Sequence, residues 1–599
     1  KIQPCRRAAL RMRRASHVVA SWARCGASTA VEHVRVVSVH CPCRLASTTP
    51  SQPRYEDTRD NSVTPPSIFN DVLGPVMRGP SSSHSAAALR IGRICRDLMG
   101  GDVTKCLVEY DPNGSLVTTH SGQGSDMGLF GGLLGWDADE ERLPAFKEHA
   151  ATAGLEVDIQ YVDYNAEHPN TYKLTLWNSA GKSRELTAIS TGGGMIEVQK
   201  IDSFDVSMMG DYHETIATVR TEAAALELQG WLEKQSDTSV ESATVVSAAE
   251  GGPALLQVKS RQALADGIVG SIGELADEVQ RVNPVLPVLA SSTITVPYLT
   301  AGTMLEHNKG NDFPFWRLAA QYEAARGGIT EEEVLSKMKA LVGIMRKAVE
   351  VGRQGTEYED RILPCQTLSF EREMNKGGLI PGDVINKIIL YVSAIMEVKS
   401  SMGTIVAAPT AGSAGALPGA VLAVADSMGK TDNDVVEAML VAGFVGVLVA
   451  EHATFAAEVA GCMAECGSGA GMAAAAITTL GGGTVEQALG ASSLALQTSF
   501  GMTCDPIANR VEAPCLGKNT MAATNALSCS NMALANFKHL IPLDEVLVAF
   551  YQVGKSLPDE VCCTGRGGLA VTPTAVEIEK GLGDERYDWE SAAAKKVAC

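Results

Sequence analysis

The pattern of hydrophobic and polar positions divides this chain into regions, and the first of them alternates between strand-like and helix-like segments. Between residues 61 and 210, short strand-type runs such as KCLVEY, EVDIQYV, YKLTLW and MIEVQK alternate with helical stretches. The glycine-rich segments SGQGSD and STGGGM interrupt these runs and predict turns. We therefore predict that residues 61–210 form an α+β domain with a mostly antiparallel sheet.

Residues 211–292 form a second unit with a different order of elements. HETIATV predicts a strand, TEAAALELQGWLEKQ an amphipathic helix, and ESATVVSA and ALLQVKS two more strands. ALADGIVGSIGELAD then predicts a helix, and VNPVLPVL a final strand. The order βαββαβ is that of a small ferredoxin-like domain. By this order alone the unit resembles ACT-type domains, which sense amino acids; the alternative is a plain connecting domain.

From residue 293 to residue 575 nearly every segment predicts helix. Several of these segments are apolar on almost every side, so we expect a large, mostly all-α domain with buried helices. The longest apolar stretch, AMLVAGFVGVLVA at 438–450, is too short to cross a bilayer, and we predict no membrane segment. Residues 576–599 form a predicted C-terminal tail.

Charge changes the picture in two places. The formal net charge of −19 argues against nucleic acid as the main partner. Residues 1–58 differ from the rest, because residues 1–55 hold Lys1 and nine arginines but one acidic residue, Glu32. Such a composition is typical of an organelle transit peptide and predicts a mitochondrial protein, with plastid and cytoplasmic locations as alternatives. A disordered basic tail would have the same composition.

The cysteines add candidate chemistry. Fifteen of them are scattered along the chain, which favours reduced thiols over a disulfide framework. In TCDPIANRVEAPC, Cys504 and Cys515 lie at the ends of a loop stiffened by Pro506 and Pro514, and Cys462 lies at a glycine-rich helix break. Ten residues can extend to roughly 35 Å, so the loop must double back if both thiols serve one site. On the residues alone, ligation and structural burial both stay open.

A second candidate site is the segment GPSSSHS. His84 stands there among several hydroxyl groups, which suits proton transfer and the binding of a small anionic substrate. The alternative is that Ser83 or Ser85 caps the helix AAALRIGRICRDLM. A third polar cluster, HPNT, contains His168 and Asn170 and says little by itself.

Taken together and in order, six motifs identify a family. GPSSSHS, HPNT and STGGG in the first domain, followed by APTAGSAG, GCMAE and TCDPIANRVEAPC, closely resemble the iron–sulfur L-serine dehydratases, also called L-serine ammonia-lyases. The resemblance extends from about residue 66 to residue 571, where TGRGGLAV ends. It implies a single chain with fused beta and alpha domains and a predicted homodimer.

The resemblance also implies the chemistry of the site. A [4Fe–4S] cluster, and not pyridoxal phosphate, would be held by Cys462, Cys504 and Cys515, and its open iron would act as a Lewis acid on the hydroxyl of L-serine. His84 would remove the α-proton, and the product would become pyruvate and ammonia. A cysteine at the chain end, Cys599, is a possible fourth ligand. The residues implied in substrate binding are Ser81, Ser82, Ser83, His168, Asn170 and Thr410.

Some residues depart from the family pattern. Gln123 stands where many members have histidine, and Cys466 is an additional thiol near Cys462. Cys562 and Cys563 have no role in the pattern.

Two alternative functions stay open: a lyase that removes sulfide from L-cysteine, and a non-catalytic iron–sulfur protein that senses iron, oxygen or an amino acid.

Overall fold

The computed structural model describes residues 64–235, 239–248, 252–291, 293–358 and 361–582, and these residues belong to one compact unit. The predicted targeting segment 1–58 and the chain end with Cys599 lie outside the described residues. Within the described part, two sheets of four and six strands are combined with many helices, which confirms the predicted α+β architecture. The domain boundaries given above stay predictions.

The first region is built around a six-stranded sheet. Its elements are β1 (Val76–Met77), α1 (Ala87–Leu98), β2 (Lys105–Tyr110), α2 (Leu116–Thr119), α3 (Ser125–Leu133), α4 (Phe146–Ala153), β3 (Glu156–Tyr161), β4 (Thr171–Trp177), β5 (Ser183–Gly192), β6 (Met195–Ile201) and β7 (Phe204–Met208). The strand order is β3-β2-β4-β5-β6-β7, and every neighbouring pair except β2 with β3 is antiparallel. Alternate residues of β2 face the core that α1 covers, as the period of a half-buried strand requires.

The second region has a four-stranded antiparallel sheet. Its elements are β8 (His213–Val219), α5 (Glu222–Leu232), β9 (Val240–Ser247), β10 (Ala254–Ser260), α6 (Asp266–Leu275) and β11 (Glu278–Val282). The strands lie in the order β11-β8-β10-β9. The prediction of a final strand at VNPVLPVL is wrong, because β11 ends where that segment begins. Pro284 and Pro287 cannot donate hydrogen bonds to a neighbouring strand, whereas EVQRV can.

The third region is helical. Its elements are α7 (Ala301–Asn308), α8 (Phe315–Gly327), α9 (Glu331–Gln354), α10 (Thr367–Asn375), α11 (Asp383–Ser400), β12 (Ile405–Val406), α12 (Ala416–Ser427), α13 (Asp432–His452), α14 (Ala457–Cys462), α15 (Ser468–Leu480), α16 (Val485–Gln497), α17 (Cys515–Leu534), α18 (Leu543–Lys555) and α19 (Pro573–Gly581). The start of the described chain belongs to its core, because Ile68 and Val72 are buried there. β1 also pairs with β12, with Val76 opposite Val406. The first and third regions are therefore joined by packing and by backbone hydrogen bonds.

One helix among the described residues, α13, is long and apolar enough to cross a membrane by length and composition. The expectation that this stretch is too short is wrong, because the helix continues on both sides of residues 438–450 and has 21 residues. In this protein 78% of its apolar window is buried against other elements, among them α8, α9 and α15. A core helix that is covered on all sides has the same composition. The apolar character of α13 is therefore accounted for by packing inside the helical region.

Glycines allow α1 and α3 to approach closely, and this contact supports the His84 segment. A Cβ at Gly92 would lie 2.6 Å from the carbonyl oxygen of Leu129, and one at Gly132 would overlap the carbonyl of Leu89. A Cβ at Gly128 would overlap the carbonyl oxygen of Ser85, the neighbour of His84. The backbone of α3 thus lies directly against the backbone that carries the candidate base.

Gly128→Ala should therefore lower the thermal unfolding midpoint of the protein, because the added methyl must displace backbone. Forcing a methyl group into a packed site costs about 1–3 kcal/mol. Gly230→Ala in α5 is the matched control, because no atom lies within 4 Å of the position its methyl would take, and alanine is the better helix former. Differential scanning calorimetry of both variants tests this, and an unchanged midpoint for Gly128→Ala would contradict the close contact.

Candidate active site

The GPSSSHS segment forms a single tight turn directly before α1. Residues Ser82–Ala86 form one π-helical turn, and His84 at its centre is fully buried. Neither serine of the capping alternative caps the helix: the Ser83 hydroxyl donates to Glu458 Oε1, and the Ser85 hydroxyl donates to the Gln123 carbonyl. Their hydroxyls instead tie the turn to other parts of the fold.

Hydrogen bonds fix the tautomer of His84. Its Nε2 lies 2.8 Å from Thr119 Oγ1, and that hydroxyl donates to the Ser115 carbonyl at 2.7 Å. Because a carbonyl can only accept, the Thr119 proton is used there, and Nε2–H of His84 must donate to Thr119. Nδ1 is then an acceptor, and the hydroxyl of Ser81 donates to it at 2.9 Å. The Ser83 oxygen also lies 3.2 Å from Nδ1, but its proton is used on Glu458.

The surroundings keep His84 neutral. Burial lowers the pKa of His84 to about 4, and the nearby Glu458 carboxylate acts in the opposite direction. At neutral pH the imidazole therefore carries no charge, and Nδ1 has an unprotonated electron pair that accepts from Ser81. A neutral, oriented imidazole of this kind can accept a proton from a substrate.

Glu458 is a site residue that the sequence analysis missed. It lies in the first turn of α14, the helix that also carries Cys462, and its side chain is 3% exposed. Its Oε1 is 3.1 Å from Ser83 Oγ and 3.9 Å from His84 Nδ1. The available signal was an acidic residue within the otherwise apolar stretch FAAEVAGCMAECG, where a buried charge requires a partner.

The APTAGSAG segment joins the same region through two hydrogen bonds. Thr410 Oγ1 donates to Glu465 Oε1 at 2.6 Å, and the backbone N–H of Ala411 donates to the Ser82 hydroxyl at 3.1 Å. Burial raises the pKa of Glu465 to about 7. The hydroxyls of Thr410 and Ser82 are thus both used to hold segments together.

The HPNT segment lies on the other side of Ser115. Asn170 is buried, its Oδ1 accepts from the Ser115 hydroxyl, and its Nδ2 has no hydrogen-bond partner among the described residues. His168 Nδ1 accepts from the Asn170 N–H at 3.1 Å. Burial lowers the pKa of His168, and Glu458 acts against this. His84, His168 and Asn170 are therefore gathered around Ser115 and Glu458.

The loop between Cys504 and Cys515 doubles back on itself. The N–H of Ile507 donates to the Ala513 carbonyl at 2.8 Å, and Ala508 and Asn509 at the far end have φ of 51° and 52°. Left-handed backbone is uncommon for residues other than glycine and here makes the reversal. Cys504 and Cys515 are buried, with 6% and 7% of their surface exposed, and Cys462 is 2% exposed.

Two lysines fasten this loop near its ends. Lys518 Nζ donates to the Thr503 carbonyl and to Asp505 Oδ1, both at 2.6 Å. Lys399, which is fully buried in α11, donates to the Val511 carbonyl. Asp505 also accepts from the backbone N–H of Leu569 at 2.8 Å, which brings the TGRGGLAV segment against the loop.

The candidate cysteines act on one another electrostatically. A hydrogen bond to Cys563 and burial raise the pKa of Cys504, and Cys462 acts in the same direction on the pKa of both Cys504 and Cys515, so the three thiols share one region of the protein. Burial is the main influence on Cys515 and raises its pKa to about 12, while Lys399 acts in the opposite direction. Cys466 contacts Cys462 through a thiol hydrogen bond that raises the pKa of Cys466.

Cys563 is a further thiol beside this group. It hydrogen-bonds Cys504, which raises the pKa of Cys504, and its Sγ lies 3.5 Å from Nε2 of Gln123. Its backbone has φ of 61°, and its N–H donates to the Cys504 carbonyl at 2.9 Å. Gln123, the residue that departs from the family pattern, thus links the first region to the cysteine loop.

Comparison with known proteins places this arrangement in a family. The family model described as serine dehydratase alpha chain matches residues 271–570. The probable L-serine dehydratase alpha chain of Bacillus subtilis is 38% identical over 253 residues, which are 42% of this chain and 84% of that protein. The L-serine dehydratase TdcG of Escherichia coli is 25% identical over 521 residues, which are 82% of this chain and 96% of that protein. The chain belongs to the L-serine dehydratase family.

The family comes in two arrangements, and this chain has the fused one. The probable beta chain of the B. subtilis L-serine dehydratase is 39% identical over 156 residues, which are 69% of that protein. Alpha and beta chains that are separate proteins in B. subtilis both match this one chain, as does the full-length E. coli relative. The identification of a single-chain L-serine dehydratase from six ordered motifs is confirmed.

The buried imidazole makes stability depend on pH. A histidine with an ordinary pKa near 6.5 takes up a proton in the unfolded chain, while His84 stays neutral in the folded protein until about pH 4. Between these values the unfolded state binds more protons, so stability is lost as the pH falls from 6.5 to 4, by up to about 3 kcal/mol.

We therefore expect the thermal midpoint of the wild-type protein to fall over this range more steeply than that of His84→Gln. His213→Gln is the matched control, because His213 is half-exposed on β8 and only partial burial lowers its pKa. Calorimetry at several pH values measures this. If the thermal midpoints of the wild-type protein and of His84→Gln fell in parallel with pH, His84 would not be buried in its neutral form.

Proposed function

We propose that this chain is an L-serine ammonia-lyase, which converts L-serine to pyruvate and ammonia by elimination of water. The observation that carries the proposal is the buried, neutral His84 with Nδ1 as acceptor, in a chain of the L-serine dehydratase family. Elimination requires a base that removes the proton from the α-carbon, and a neutral imidazole is suited to this at physiological pH.

Asn170 and Ser81 are the best-placed groups for binding the substrate carboxylate. The Nδ2 of Asn170 is a buried donor without a partner among the described residues, which is costly unless a ligand accepts from it. Ser81 contacts the basic nitrogen of His84 and can turn to a bound anion. Ser83 and His168 border the same group, while Ser82 and Thr410 contribute by holding the two segments in place.

We further propose that Cys462, Cys504 and Cys515 hold a [4Fe–4S] cluster. Thiols are the donors that such clusters use, and here three of them are buried and act on one another, with Lys399 beside Cys515. Positive charge favours the thiolates that iron requires. When bound, the cluster supplies a Lewis-acidic iron for the substrate hydroxyl. No group of three His, Cys, Asp or Glu in the described ranges is placed around one single metal ion.

Four other features have narrower support. The strand order β11-β8-β10-β9, with two helices, supports a ferredoxin-like, ACT-like unit that binds a regulatory amino acid. The arginine-rich composition of residues 1–58 supports a mitochondrial location. We also propose that the enzyme is a homodimer, and that Cys599 is a fourth cluster ligand, following the family resemblance.

The activity is tested with anaerobically reconstituted protein and three substrates. L-Serine should give pyruvate and ammonia, and L-threonine and L-cysteine should react more slowly. His84→Ala should keep its fold and cofactor absorption but lose about 10²- to 10⁴-fold in rate, the range for loss of a general base. Faster release of sulfide from L-cysteine than of pyruvate from L-serine would favour the desulfidase alternative. Inactivity towards all three would favour a sensor.

The cluster ligands are tested one cysteine at a time. Cys462→Ala, Cys504→Ala and Cys515→Ala should each lack the broad visible absorption of an iron–sulfur cluster after anaerobic reconstitution. Cys466→Ala should keep it, and so should Cys529→Ala, a buried thiol of α17 that hydrogen-bonds Asn525. A colourless Cys466 variant beside a coloured Cys462 variant would exchange the roles of these two residues.

A further inference from the structure

Glu458 is a buried carboxylate whose Oε1 lies 3.9 Å from Nδ1 of His84, so the two form an ion pair only when His84 is protonated. Its side chain is 3% exposed, and within the described part of the chain no lysine or arginine lies within ion-pair distance of it. Burying a carboxylate without a compensating group is costly. The Ser83 hydroxyl, at 3.1 Å, and the imidazole Nδ1, at 3.9 Å, are the groups that face its Oε1. The carboxylate is thus held where a positive charge on His84 would form.

We propose that Glu458 is the positioning residue of the proton transfer, orienting His84 through Ser83 and stabilising its protonated form. This rests on the proposed function, in which His84 is the base. The arrangement resembles in logic the acid that orients a catalytic histidine in hydrolase triads, with a serine hydroxyl placed between the two groups. Thr119 fixes the opposite face of the ring, so Nδ1 is directed towards Ser81, Ser83 and Glu458.

Proton transfer to His84 leaves atoms and electrons in balance. The α-proton of the substrate moves to Nδ1, the electron pair of the Cα–H bond forms the Cα–Cβ double bond, and the hydroxyl leaves with the C–O pair as hydroxide. The hydroxide takes up one proton to become water and His84 gives up the α-proton, so the net products are the aminoacrylate and water and His84 is neutral again. In the protein without substrate the Ser81 hydroxyl donates a hydrogen bond to Nδ1, so it must turn away before the α-proton can arrive. It can then donate a hydrogen bond to the Ser83 oxygen, which lies 3.3 Å away. Ser83 already donates to Glu458, so the chain of donors ends on the carboxylate.

Other ionisable groups also lie near the pair. His120 faces His84 and opposes its protonation, but its ring is bound to Asp126 at 2.8 Å and to Tyr161 at 2.9 Å. The groups on which the Glu458 charge acts, besides His84, are His168, Tyr172, Glu465 and Cys562. Of the described groups that act on His84, Glu458 is the one that favours the protonated ring.

Glu458→Gln keeps the shape of the side chain and removes its charge. We expect kcat for L-serine to fall on the order of 10- to 100-fold, with a much smaller change in KM and unchanged visible absorption. Without the charge the pKa of His84 falls, so the acidic limb of the kcat/KM profile should move to lower pH. Glu197→Gln is the matched control, because Glu197 acts on His168 but its carboxylate contacts Ser207 and Gln199.

Two further variants separate position from charge. Ser83→Ala removes the hydroxyl between the groups and leaves the carboxylate, so it should lower kcat while the acidic limb stays near its wild-type pH. In a His84→Ala background, adding Glu458→Gln should lower kcat by less than about 2-fold, because both residues serve one proton transfer. The proposal is overturned if Glu458→Gln has the wild-type kcat and the acidic limb of its kcat/KM profile does not move. It is also overturned if Glu458→Gln lowers kcat as much in the His84→Ala background as in the wild-type protein.

A separate measurement distinguishes this proposal from the proposed function. Hydrogen–deuterium exchange at the imidazole Cε1–H, followed by mass spectrometry over a pH series, reports the protonation of His84 in the full-length holoprotein. Wild-type protein that releases no pyruvate from L-serine defeats the function, yet Glu458→Gln should still lower the His84 titration point. An unchanged titration point in an active enzyme defeats the role of Glu458 alone.

Discussion

The buried contact between Lys399 and the Val511 carbonyl is the constraint on which the cysteine loop depends. Burial lowers the pKa of Lys399 to about 8, so the ammonium group is expensive to keep inside the protein. The loop carbonyl and the electrostatic influence of Cys515 and Glu465 compensate it. Removing the loop from this position would leave a buried charge unpaired, so helix α11 and the loop hold each other in place.

The site is assembled from parts of the chain that lie far apart in sequence. Ser82 accepts from Ala411, Ser83 donates to Glu458, and Gln123 contacts Cys563. Each of these bonds joins the first region to the helical region. In the B. subtilis relatives the corresponding halves are separate alpha and beta chains, and here they are fused, but the contacts that build the site are non-covalent.

Local patterns were readable from the sequence, and long-range partners were not. HETIATV coincides with the strand His213–Val219, because its threonines, isoleucine and valine favour extended backbone. The misplaced final strand shows the opposite case, in which hydrophobicity at VNPVLPVL outweighed the missing donors of two prolines. The motifs led to His84 and to the cysteines by resemblance. Glu458, Lys399 and Cys563 were missed because their significance depends on neighbours that only the folded chain brings close.

The separation of Gln123 from Cys563 has a consequence for biosynthesis. Their contact spans 440 residues, and Cys504 hydrogen-bonds the same Cys563. A ribosome delivers the amino-terminal region first, with Ser83 and Gln123 lacking their partners until the helical region has been made. The contact between the first region and the cysteine loop therefore forms only after Cys563 has been synthesised.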